Sequence, residues 1–125
     1  MLNRTCAAVA VLAFVALPLA AQADGGGKGG TEAVLIGQVI DVNCQTTGVS
    51  GSGHKECAQE CAKAGVALAI LASDGNIYIP VSSKPGDAQN SRLLGFTEGK
   101  VKVKGIHRFA NGLHTIEIKS ITAAT

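Results

Sequence analysis

The run KVKVKGIHRFANGLHTIEIKSI, Lys100 to Ile121, decides how the chain folds. Lys100, Lys102 and Lys104 alternate with Val101 and Val103, and Thr115, Glu117 and Lys119 alternate with Ile116 and Ile118. Strand side chains project to opposite faces with a period of two, so each half has an apolar face for a core and a polar face for solvent. Asn111-Gly112 separates the halves and supplies the two positive φ angles of a type I′ turn. The spacing predicts an antiparallel hairpin of Lys100–Phe109 and Leu113–Ile121. It places His114 opposite Phe109, with His107 and His114 on the apolar face at the rim. The lysine row reads as a solvated strand face that blunts an edge.

Towards the N-terminus, Asp87–Leu94 reads as a short helix, preceded by Pro85-Gly86 and ended at Gly95. ALAILA (Ala67–Ala72) and NIYIPV (Asn76–Val81) flank Ser73-Asp74-Gly75 and form a second hairpin. AVLIGQVIDV (Ala33–Val42) is β-branched and reads as a long first strand, bent at Gly37 and closed at Cys44. A polar loop, Gln45–Gly53, leads to a helix from about Gly53 to Ala64, capped by Ser52 and stopped at Gly65. Strand, inserted helix, strand, strand, helix, strand, strand is the element order of a mainly β protein, a small five-stranded OB-like barrel. One helix is inserted between strands 1 and 2, and a short one precedes strand 4. A mixed α+β sandwich of the same strands is the alternative.

The first 23 residues have Arg4, an apolar stretch from about Cys6 to Leu17 and Ala21-Gln22-Ala23 at their end, the pattern of a secretory signal. Pro18, Gln22 and Asp24 interrupt the run before the roughly 20 apolar residues of a membrane span. Residues 24–31, DGGGKGGT, form a glycine-rich leader with no side chain for a core, so 32–125 are expected to be one OB-like domain. The implied location is periplasmic or secreted, with no stable membrane insertion after cleavage. Cys6 leaves with the signal, and Cys44, Cys57 and Cys61 remain in an oxidising compartment.

Composition narrows the function. A net charge of +2 and a 3% aromatic content offer neither a basic patch nor a stacking platform, so nucleic acid is not an expected partner. No G-x-x-x-x-G-K-[ST], H-E-x-x-H or G-x-S-x-G is present, and no enzyme activity is expected. What stands out is a stripe. His54, Cys57 and Cys61 lie at i, i+3 and i+7, within about 60° of arc on a helix, and Cys44 can fold back onto them through its glycine-rich loop. Lys55, Glu56, Gln59, Glu60 and Lys63 take the outer face, and Asp41 is the other acid near the cysteines.

Thiolates with an imidazole suit Cu(I) or Zn(II) and do not suit Mg(II) or Ca(II). Three cysteines argue against an iron–sulfur cluster, and no C-x-x-C-H supports haem attachment. Two other readings stay open. A disulfide from Cys44 to Cys57 or Cys61 would staple the insertion to the first strand, leaving one spare thiol. A thiol beside such a bridge would support thiol–disulfide exchange.

Gly37–Cys44 as G-x-V-x-D-x-x-C, His54–Gly65 as H-x-x-C-A-x-x-C-x-x-x-G, and the V-x-V-x-G and I-x-I runs of the last hairpin together resemble a family of small exported bacterial OB-like proteins. That likeness covers nearly all of the mature chain and implies no particular activity. C-x-x-x-C at Cys57–Cys61 also resembles the copper ligands of Sco-type copper chaperones and of the binuclear centre of cytochrome oxidase subunit II. Here the histidine precedes the pair by three residues. The expectation is an exported module that binds copper, with zinc or no metal as alternatives, through Cys44, His54, Cys57 and Cys61. The metal ion is its first partner, and another exported protein is a further candidate.

Overall fold

The computed structural model describes residues 29–125. The expected signal, residues 1–23, and most of the leader lie outside the described residues. Five strands, β1 (Thr31–Asp41), β2 (Leu68–Ala72), β3 (Ile77–Val81), β4 (Lys100–Ala110) and β5 (Leu113–Ala123), close into a barrel in the order β1-β2-β3-β5-β4. All neighbours are antiparallel except β3 and β5. This is the OB-like arrangement expected from the element order.

The decisive hairpin forms as its alternation dictates. Val101, Val103, Ile116 and Ile118 are buried, and Lys100, Lys102 and Lys104 are exposed. Asn111 (φ 53°) and Gly112 (φ 77°) make the turn, and Phe109 pairs with His114. A register shift at Lys104/Gly105 strengthens the local coiling that a small barrel requires. Closure falls to β1, which pairs with β2 and β4 at once around Gly37, opposite both Ala72 and Val101. A Cβ at Gly37 would sit against the Leu71 carbonyl and 2.8 Å from the Ala72 Cα, so glycine permits the bend.

The core is a plug of Leu35, Val39, Ile70, Tyr78, Leu93, Val101, Val103, Ile116 and Ile118. Each fully buried aliphatic side chain contributes about 1.5–3 kcal/mol of transfer free energy. Leu93 comes from the helix before β4. That helix, α3 (Asn90–Leu93), is shorter than the expected Asp87–Leu94 and continues as a 3₁₀ turn, Leu94–Phe96. Asp87 is diverted because it accepts from Ser82 Oγ at 2.7 Å, while its carbonyl accepts from Gln89 Nε2 at 2.8 Å. No helix among the described residues is long and apolar enough to cross a membrane.

The connection from β1 to β2 departs most from expectation. It comprises α1 (Val42–Thr46), a 3₁₀ turn (Ser52–His54) and α2 (Lys55–Lys63). Cys44 therefore sits on a helix and does not close a strand. Asp41 starts α1, its Oδ1 accepting from Cys44 N at 2.9 Å in the N-cap manner. Ser52 makes no side-chain cap. The preceding amide is instead served from elsewhere in the chain, since Gly51 N donates to Glu98 Oε2 at 2.9 Å.

Candidate metal centre

Three donor atoms converge at the end of β1. One ligand atom each from Asp41, Cys44 and Cys61 lies within 4.8 Å of the other two, and this group can hold a metal ion. Donors on one tetrahedral Zn(II) stand about 3.3–3.8 Å apart, given bond lengths of about 2.0–2.3 Å, so the group has to tighten by at most about 1–1.5 Å to share an ion. Asp41 is fully buried as the last residue of β1. Its Oδ1 caps α1, and its Oδ2 has no hydrogen-bond partner among the described residues. A buried carboxylate oxygen without a partner is costly unless a cation or proton meets it.

The second element is α2. Gly65 N donates to Ala62 O and Val66 N to Cys61 O, the paired bonds that end a helix where the glycine was expected to stop it. Asn90 locks this end to α3: its Nδ2 donates to Ala62 O (3.1 Å) and Val66 O (2.7 Å), and its Oδ1 accepts from Leu68 N (3.0 Å). Gln59 Nε2 adds a bond to Leu94 O at 3.1 Å. Ala58 and Ala62 are buried, so small side chains let α2 lie close on the barrel and deliver Cys61 to Asp41.

The three cysteines among the described residues, Cys44, Cys57 and Cys61, are free thiols. Partial burial pushes the Cys44 thiol up, and the Asp41 carboxylate pushes it further. Cys61 is also raised, first by burial and then by Cys57, whose thiol stands one turn back beside it. Both are therefore protonated at neutral pH, and a metal ion would have to displace those protons.

The stripe expected on α2 divides. Cys61 joins the Asp41 and Cys44 cluster, while Cys57 is exposed at its edge. His54 is buried and turned to a carboxylate, with Nδ1 donating to Glu98 Oε1 at 3.1 Å and side-chain exposures of 8% and 2%. Its Nε2 is the other buried atom without a partner among the described residues. Glu98 also accepts from Gln38 Nε2 at 2.7 Å and adopts φ 60°, a left-handed conformation unusual for a residue with a side chain. One strained, buried carboxylate thus fastens the 48–54 loop to β1 and the start of β4. His107 and His114 sit far from this cluster, since His107 pairs with Thr31 at the opposite end of β1.

Sequence reasoning missed Asp41 as a donor and Glu98 as an anchor. A signal for the first exists: Asp41-x-x-Cys44 is a helix N-cap pattern, which turns the aspartate towards the cysteine three residues on. No local signal marks Glu98, whose partners lie 44 to 60 residues away. In comparisons with known protein families, curated proteins and solved structures, nothing matches this chain. The reading of the centre therefore rests on its own chemistry.

Proposed function

We propose that the protein is an exported metal-handling module that binds one soft or borderline ion, copper or zinc, without catalytic turnover. The observation that carries the reading is the convergence of Asp41, Cys44 and Cys61, with Asp41 Oδ2 buried and unpartnered. Two thiolates and a carboxylate form a mixed set that suits Zn(II), while the thiols alone would satisfy Cu(I). Two residues compete for a fourth position. Cys57 adjoins Cys61, and His54 has the Nδ1–H···carboxylate arrangement that orients a ligating imidazole and leaves Nε2 free to bind.

Raised thiols slow thiol–disulfide exchange, which needs a free thiolate, whereas a metal ion that binds them releases their protons itself. Should the compartment oxidise the protein, a Cys44–Cys61 disulfide would staple α1 to α2, and that staple is the second reading.

The test is metal content and thiol count on protein purified anaerobically from its own host, followed by Co(II) or Zn(II) titration. One ion per chain is expected at the thiols, counted by thiolate-to-cobalt absorption, with release of about two protons there. Asp41→Asn and Cys61→Ser should weaken binding on the order of 100-fold or more, and whichever of Cys57→Ser and His54→Gln weakens it marks the fourth ligand. A quantitative Cys44–Cys61 disulfide without metal would replace this reading with the staple.

A further inference from the structure

A second group of ligating side chains lies at the far end of the barrel and is independent of the thiols. His107 on β4 and His114 on β5 face each other diagonally across the hairpin, with His107 Nε2 3.1 Å from His114 Nδ1. We infer that these two imidazoles form a separate site for one borderline divalent cation, of the Zn(II) or Cu(II) class, with solvent completing the coordination.

The geometry suits a shared ion. With metal–nitrogen bonds of about 2.0–2.1 Å, two nitrogens on one ion stand about 2.9 Å apart at a right angle and about 3.3 Å at a tetrahedral angle. The observed 3.1 Å falls between the two. The rings are nearly parallel, 11° between planes, and aiming both lone pairs at a common point needs only rotation about χ2, a soft sp³–sp² torsion.

The surroundings hold the pair ready. Tyr78 packs against both rings, with centroids 5.2 and 5.1 Å away, and Phe109 packs against His114 at 4.5 Å. Among the described residues each imidazole has a hydrogen bond only to the other. Asp74, in the β2–β3 turn, accepts from Asn76 N and from the Tyr78 hydroxyl. Those bonds hold its carboxyl below the usual range. A nitrogen-donor site accepts harder ions than the thiol centre does, so the two ends of one small barrel would differ in metal preference.

The chain has three histidines, and their imidazole NMR signals are separable on the full protein. Titration with Zn(II) should shift His107 and His114 along one shared binding curve. His107→Ala and His114→Ala should each weaken that event at least on the order of tenfold while the amide spectrum stays dispersed. Thiolate-to-cobalt absorption, which reads the other centre, should not change in either variant. Unmoved imidazole signals at millimolar Zn(II) would overturn the inference, as would a His107 shift that persists unaltered in His114→Ala. If both variants unfold, the wild-type curves decide, because two imidazoles on one ion must saturate together and unequal curves sink the proposal. Failure of the thiol centre would show in the cobalt signal and leave this result standing.

Discussion

The β4–β5 hairpin and the connection from β1 to β2 are segments of similar length built on opposite rules. In the hairpin every buried residue is placed by a neighbour two positions away, and the turn is specified by the two residues that form it. In the connection little apolar surface is buried: α1 has no buried residue, α2 buries only two alanines, and the loop between them hangs on Glu98, just before β4. Apolar burial stabilises the first, and long-range polar contacts shape the second. The Asp41, Cys44 and Cys61 cluster lies at the start of the second.

That contrast can be broken most forcefully in the core. Ile116→Ala should cost about 2–5 kcal/mol, because Ile116 is fully buried and closely surrounded by strands that cannot collapse onto the void. Denaturant unfolding would read this directly, and a cost under about 1 kcal/mol would mean that the barrel interior is not the plug described above.

Glu98→Ala should cost less, about 1–3 kcal/mol, since it strands the donors of Gln38, Gly51 and His54. Its signature should be regional. Proteolysis within residues 48–53 should quicken while amide exchange in β4 and β5 stays slow. Uniform loosening of both regions would remove the distinction between them.

Asp41→Asn should change stability by under about 1 kcal/mol, because asparagine caps a helix as well as aspartate does. It should nevertheless alter the thiols. Asp41 raises Cys44, so removing its charge lowers the Cys44 pKa and speeds alkylation of Cys44 at a fixed neutral pH, measured peptide by peptide in a mass spectrometer. Unchanged alkylation would show that the carboxylate and thiol are not in electrical contact.

The smallest effect belongs to the polar face of the hairpin. Glu117 accepts from Lys119 at 2.7 Å and Arg108 at 3.1 Å, which lower its carboxyl to about 2. A depressed folded pKa means that the group stabilises the fold above about pH 4.5, its unfolded value, and that this stabilisation is lost as the pH falls towards 2. Wild type should therefore be slightly more stable than Glu117→Gln at pH 7, and the difference should vanish near pH 2 and shrink in high salt. An equal difference at both pH values would contradict the ion pairs.

The legibility of the fold follows the same division. Alternation, Asn111-Gly112 and Ser73-Asp74-Gly75 marked both hairpins to within a residue or two, because the information is contained in adjacent residues. The break of the β1–β2 connection into three short helical pieces was not legible. Ser52 is a good N-cap by composition, but Glu98 satisfies the neighbouring amide instead, and a distant carboxylate leaves no periodic trace. The start of α3 failed for a related reason, with Asp87 held by Ser82 in a turn of its own.

For the centre, residue type and spacing were enough to single out Cys44, His54, Cys57 and Cys61 as chemically unusual and to place Cys57 and Cys61 on one helix, whereas His54 falls in the 3₁₀ turn before it. Those properties depend only on the order of residues and on 3.6 residues per turn. Tertiary structure alone decided which of them meet. Closure of the barrel sets the end of β1 beneath α2, bringing Asp41 into the company of Cys44 and Cys61, while Glu98 takes hold of His54. Helical periodicity says which face a side chain occupies, but what stands opposite that face depends on how a distant part of the chain has packed.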